Sequence, residues 1–140
     1  IFNISQKIFF LKEYKIDFLI IKKFNKKFSK INYLKFIERA RSDALKNLGF
    51  TNKSLIEENG TYIIVKSCNI NYIKPALLED DLEIKSYIKE ITKTSFFMLQ
   101  KVFKGNDQIT EAEVHLVTID KKGKPVKIPE RLKKELEKLI

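Results

Sequence analysis

A lone cysteine, Cys68, leaves this chain of 140 residues unable to form an internal disulfide. That fits a reducing compartment and excludes a disulfide-stapled secreted scaffold. No apolar run approaches the ~20 residues that a membrane helix needs. An early one, Phe18 to Ile21, ends in Lys22 and Lys23. The first residues offer no small-residue cleavage site of the kind that follows a secretory leader, so the expectation is a cytoplasmic protein with no stable membrane insertion. The chain begins with Ile1 rather than Met, as a trimmed or incomplete sequence would. Glycine and proline are also scarce, and neither occurs before Gly49. The P-loop, the dinucleotide-binding glycine motif and the paired-cysteine zinc motif are all missing. Arginine is scarce as well: only Arg39, Arg41 and Arg131 occur among 28 basic residues.

The apolar fraction is 44% and the aromatic fraction 11%, enough for a globular chain with a buried core. One domain over residues 1–140 is expected. The net charge is +10, and much of the excess lies in the first thirty residues, where eight lysines face only Glu13 and Asp17. Such a surface attracts phosphates. Lysines with neither clustered arginines nor a recognition motif are nonetheless a poor nucleic-acid signature. The simpler reading is the Lys, Ile, Asn and Phe bias of an AT-rich genome, and no nucleic-acid partner is expected.

Hydrophobic spacing organises the rest. Ile1 to Phe10 is strand-like, and Ile16 to Ile21 suits a short strand. Tyr33, Ile37, Ala40, Ala44 and Leu48 recur at helical spacing, with Leu34, Phe36 and Leu45 widening the stripe. The helix runs from about Asn32 to Leu48. Ser29 or Asn32 caps its start, and Gly49 suits the left-handed residue after its end. Four strand patterns follow. In Tyr62 to Tyr72 the even positions Tyr62, Ile64, Cys68, Ile70 and Tyr72 share a face. Leu82, Ile84 and Ile88 mark the next strand. Ser95 to Phe103 is apolar on both faces, as in a buried or interface strand. In Ile109 to Ile119, Ala112, Val114 and Leu116 oppose Glu111, Glu113 and His115. Turns fall at Lys74-Pro75, Gly105-Asn106-Asp107 and Lys122 to Pro125. A short amphipathic helix starts near Pro129. The order implies an α+β domain with an antiparallel sheet wrapped around one long central helix.

The segments NYLKFIERAR (Asn32 to Arg41), LGF (Leu48 to Phe50), INYIKPALLEDDL (Ile70 to Leu82), EAEVHLVTID (Glu111 to Asp120) and GKPVKIPE (Gly123 to Glu130) come in a specific order and spacing. In this the chain resembles the hotdog-fold acyl-CoA thioesterases, in particular the 4-hydroxybenzoyl-CoA thioesterase-like group associated with the Tol-Pal cluster. The resemblance implies a hydrolase that cleaves short or medium acyl-CoA to free acid and CoA, with no cofactor or metal. It implies a homodimer or homotetramer with the thioester at the subunit interface. It also places the amino end of the long helix, at Asn32, Tyr33 and Leu34, against the thioester carbonyl. The physics of that placement is general, because unpaired amides and the helix dipole stabilise the negative charge of a tetrahedral intermediate.

Family members usually carry an Asp-Thr-Asp-Ala-Gly-Gly stretch and then Tyr-His-Ala-Asn before this helix. Here Lys22 to Asn32 reads KKFNKKFSKIN. Counted back without a gap, the family aspartate falls at Lys23, its tyrosine at Ser29 and its histidine at Lys30. Matched from Lys7 to Phe10 instead, Glu13 or Asp17 becomes the carboxylate. Glu38, in the second turn of the helix, is the other candidate, since further hotdog branches use a helix glutamate as nucleophile or base; its plainer role is to pair with Arg39 or Arg41. Tyr72 and Lys74 match the family's Tyr-x-Lys-Pro-Ala hairpin, where the lysine meets a coenzyme phosphate or simply keeps the turn soluble. Cys68 reads as a small buried residue rather than half of a dyad with His115. Glu111, Glu113 and His115 read as a solvated strand face rather than a zinc site. Two functions therefore stand: an acyl-CoA thioesterase using Glu38 or Asp17, or a catalytically impaired hotdog protein serving as an acyl-CoA-binding or assembly module.

Overall fold

The computed structural model describes residues 4–10, 16–22, 30–74 and 81–140, with side chains over 34–74 and 82–140. Two strands, β1 (Ile4–Phe10) and β2 (Ile16–Lys22), precede the long helix α1 (Lys30–Asn47) and a short helix α2 (Asn52–Asn59). Then come β3 (Tyr62–Tyr72), β4 (Asp81–Ile91), β5 (Ser95–Lys104), β6 (Asp107–Ile119) and a final helix α3 (Glu130–Glu137). The strands form one sheet in the order β1-β2-β4-β5-β6-β3, with every pairing antiparallel. This is the α+β architecture expected, including the short strand at Ile16. Extra residues in β3, β4 and β6 add local twist and bend the strands.

Alternation builds the core. Leu82, Ile84 and Ile88 of β4, Phe96, Met98 and Val102 of β5, and Ala112, Val114 and Leu116 of β6 are all buried. Against them lie Ile37, Ala40 and Ala44 of α1, each at most 1% exposed. The two alanines let the helix backbone approach the sheet closely. Leu34, expected to widen this stripe, is instead 44% exposed. Arg41 takes a place in the buried face, between Ala40 and Ala44.

β3 departs from simple alternation. A register shift between Val65 and Ser67 inserts Lys66 as an extra residue. Ile63 is therefore buried and Ile64 exposed, while beyond the bulge Cys68, Ile70 and Tyr72 pack on the core. Tyr62 and Ile64 thus do not share the face of Cys68, Ile70 and Tyr72. A strict period of two misses this because one inserted residue inverts every side chain that follows.

At its start α1 begins with Lys30, so Asn32 lies inside the first turn rather than capping it; Ser29 lies outside the described residues. At its end Gly49 adopts φ 88°, and the Phe50 amide donates to the Leu45 carbonyl at 2.9 Å. A Cβ on Gly49 would meet only Arg131 Nη1, at 3.7 Å, which is ordinary contact. The cost of Gly49→Ala is then that of the left-handed backbone, about 1–2 kcal/mol. Urea denaturation reads this as a lowered midpoint at constant slope; an unchanged midpoint would contradict it.

The chain then turns into α2, whose Thr51 and Ser54 form a reciprocal capping box. α3 lays Leu132 and Leu136 on the core, and Arg131 stacks over the Phe50 ring at 4.3 Å. Together these contacts hold the C-terminal end of α1 in place.

Candidate active site

α1 carries the candidate chemistry. Asn32 and Tyr33 lie in its first turn, where amides have no intrahelical acceptor; their side chains lie outside the described residues. Leu34, one residue beyond that turn and so within reach of the Lys30 carbonyl, is exposed. No acidic side chain occupies that turn, so nothing there competes with an incoming anion for the positive end of the helix. Asp17 stands in β2, in register with Phe9 and Lys85; its side chain, and all of Glu13, Lys23 and Pro75, lie outside the described residues.

Glu38 follows Asn32 by about 9 Å along the helix axis, at ~1.5 Å per residue. It is exposed and makes no hydrogen bond or ion pair among the described residues. The expected pairing with Arg39 or Arg41 is therefore not made. Glu38 instead lines a groove of about 460 Å³, together with Arg41, Ser42, Leu45 and Lys46. These five share one stripe of the helix, spaced three and four residues apart. The opposite wall is largely apolar: Phe50, Leu55, Ile63, Val65 and Leu116. Val65 is 46% exposed although it pairs with the buried Leu116, because this is where the groove opens.

Beneath the groove runs a buried polar network that sequence reading missed. Gln100 of β5 is fully buried. Its amide donates to the Ile37 carbonyl at 3.0 Å and to Ser86 Oγ at 3.2 Å. Its side-chain oxygen accepts from Arg41 Nη1 at 3.4 Å. Burial holds the Arg41 guanidinium below its ordinary range, partly offset by the negative charge of Glu38 and the nearby Cys68. The available signal was Gln100 at a core position among Phe96, Met98 and Val102, and Ser86 between Ile84 and Ile88.

Burial pushes the Cys68 thiol up, against the pull of Arg41. Burial and Cys68 likewise raise the half-buried Tyr72 phenol. Lys74 is exposed and pairs with Asp107 at 3.5 Å, a contact worth little in water. Cys68 faces the core, whereas His115, in register with Ser67, lies on the opposite face of the sheet. That face is less solvated than expected: His115 stacks on Phe97 at 4.0 Å between centroids, and its Nε2 is buried without a partner among the described residues. Glu113 is held by Lys89 at 2.7 Å. Among the described residues no three His, Cys, Asp or Glu side chains gather as a metal site, and no helix is long and apolar enough to cross a membrane.

Comparison with known proteins agrees with this frame. Residues 12–136 match the thioesterase-like superfamily. The acyl-CoA thioesterase YbgC of Haemophilus influenzae is 32% identical over 102 residues, covering 72% of this chain and 75% of that protein. The long-chain acyl-CoA thioesterase FadM of Escherichia coli is 30% identical over 111 residues, covering 77% of this chain and 83% of FadM. Among solved structures, a probable thioesterase from Bartonella henselae superposes with a TM-score of 0.68 at 28% identity, covering 92% of this chain and all of that one. The hotdog resemblance carried by the helix and hairpin segments is thus borne out, and the chain belongs to the thioesterase-like superfamily.

Proposed function

We propose that this protein hydrolyses acyl-CoA thioesters of short or medium chain length, with the amino end of α1, around Asn32, Tyr33 and Leu34, receiving the carbonyl oxygen. Glu38 takes a proton from water as the water oxygen bonds to the carbonyl carbon. The tetrahedral intermediate places its charge against the free amides of α1. The carbon–sulfur bond then breaks, leaving the carboxylic acid and the protonated CoA thiol. The observation that carries this reading is the unpaired Glu38, about two turns from the positive end of α1, on the wall of a groove with a largely apolar opposite side. Asp17 is the alternative carboxylate. Tyr72 and Lys74 sit toward the open end of β3, where the coenzyme arm would pass. No cofactor enters the reaction. The activity belongs to residues 1–140 as one domain, and we place it in the cytoplasm, where a lone thiol such as Cys68 stays reduced.

The working unit is a homodimer or a dimer of two dimers. Among the described residues β3 is the last strand of the sheet, and an edge strand is a template for pairing with a second chain. Ile64 and Val65, 42% and 46% exposed, add apolar surface there. Ile64→Lys should weaken self-association about tenfold or more, equivalent to ~1.4 kcal/mol. Light scattering across a dilution series measures it, and a variant as oligomeric as the parent removes β3 from the interface. The activity itself is tested by following free thiol release from butyryl-, hexanoyl- and octanoyl-CoA. Binding of these thioesters without thiol release would instead identify an acyl-CoA-binding module.

A further inference from the structure

We infer that the lysine-rich turn after β6, with the β4–β5 turn beside it, is a docking surface for an anionic lipid bilayer, so that the protein binds peripherally to a membrane. The inference stands apart from the thioesterase reading, and its test needs no substrate.

Lys93 lies between β4 and β5, and Lys121, Lys122, Lys124 and Lys127 follow β6. All five are exposed. Hydrogen bonds hold the two turns side by side. The Thr118 amide donates to the Thr94 carbonyl at 2.9 Å, and the Ile128 amide to the Lys93 carbonyl at 3.0 Å. Thr118 Oγ1 donates to the Val126 carbonyl at 2.6 Å. Asp120 is the one acid within the longer turn. Its carboxylate accepts from the Lys122 and Lys124 amides at 2.8 and 3.0 Å, so it builds the turn that presents the lysines. Gly123 completes the tip at φ 81°. Among the described residues Lys93, Lys121, Lys122 and Lys124 make no ion pair, and Lys127 meets Glu130 only at 3.9 Å between exposed side chains. Like charges gathered on fixed backbone repel one another, and contact with an anionic surface relieves that repulsion.

The residue types choose the partner. A lysine head is a hydrated point charge without the fork that lets arginine grip one phosphate or carboxylate at two points. Neither turn carries an arginine or an aromatic side chain, the groups that read base edges and stack on bases in nucleic acid. Several lysines on a projecting turn suit a broad, diffuse negative surface instead. Each lysine near an anionic membrane contributes about fivefold to binding. Place in the fold agrees. Ile37 and Arg41 of α1 hydrogen-bond with Gln100, which is in register with Ala112. Phe50, just past the end of α1, shares a groove with Leu116. α1 therefore runs toward the Thr118 end of β6, where the lysines lie. Its amino end is about 27 Å from its carboxyl end, at ~1.5 Å per residue, and faces away from the patch. A protein docked on these turns keeps that amino end clear of the lipid.

The experiment sediments the full chain with vesicles of phosphatidylcholine alone and of phosphatidylcholine with one part in three of phosphatidylglycerol. The mixed vesicles should carry the protein down and the neutral ones should leave it in solution. Raising the salt from about 0.1 M to about 1 M, which shortens the screening length from about 10 Å to about 3 Å, should release it. The triple variant Lys121→Gln, Lys122→Gln, Lys124→Gln should bind the mixed vesicles about a hundredfold more weakly. A second triple variant, Lys74→Gln, Lys101→Gln, Lys104→Gln, removes the same charge at the opposite end of β5 and β6 and should lose less than about tenfold. These are surface side chains, so both variants should fold, which circular dichroism checks. No retention by the mixed vesicles, binding that survives the first variant, or equal losses in the two variants overturns the inference. Two competition results overturn it as well. Release by millimolar inorganic phosphate at constant ionic strength would mark a discrete phosphate site. Tighter binding to duplex DNA than to the mixed vesicles, lost in the first variant, would give these lysines to nucleic acid.

Discussion

Glu38→Gln lowers kcat for acyl-CoA hydrolysis by about a hundredfold to ten-thousandfold, the range a positioned general base supplies. KM changes little, because the substitution keeps the shape of the side chain and leaves the apolar wall intact. The residual rate is not zero, since the free amides at the start of α1 still face the oxyanion. The protein should also stay folded, because Glu38 is exposed and holds no partner among the described residues. That separates loss of chemistry from loss of structure, which circular dichroism and the urea midpoint check directly. Asp17→Asn, assayed beside it, decides between the two carboxylates. If Asp17→Asn removes activity while Glu38→Gln retains most of it, the base lies on β2 and the role assigned to Glu38 is wrong.

Much of the fold was legible because its elements follow simple periods. Ile37, Ala40 and Ala44 mark the buried side of α1 at helical spacing, and Ala112, Val114 and Leu116 mark that of β6 at a spacing of two. Gly49 ends α1 as its freedom at positive φ requires. β3 was legible as a strand but not as a surface. Its bulge at Lys66 depends on pairing with β6, a partner more than forty residues away in sequence. Leu34 was misjudged for a related reason: whether the first turn of a helix is covered depends on what packs over it, not on its own spacing. The site was less legible still. The aspartate that the family places before α1 falls on Lys23 or on Glu13 or Asp17 according to how the segments are matched, and no periodicity shows which carboxylate faces a groove. Arg41 reads in the sequence only as a partner for Glu38. Its burial follows from Gln100, a residue fifty-nine positions away, which one-dimensional patterning cannot join to it.

Gln100→Met tests that junction, with an expected stability loss of about 3–5 kcal/mol. The substitution roughly conserves volume, so little cavity forms. It removes the one acceptor that Arg41 has and the donor that reaches Ile37 and Ser86. A buried guanidinium without a partner is the costly product, and the loss is a large fraction of the ~5–15 kcal/mol available to a domain. Arg41→Met in the same chain should recover most of it, because replacing a whole buried polar set by apolar groups of similar volume is often neutral or stabilising. The double-mutant cycle therefore returns a coupling energy of about 2 kcal/mol or more between residues on α1 and β5. Urea denaturation of the parent, both single variants and the double variant measures it. A single Gln100→Met variant that loses less than about 1 kcal/mol would mean that Arg41 finds another acceptor. The network would then not pin the helix to the sheet.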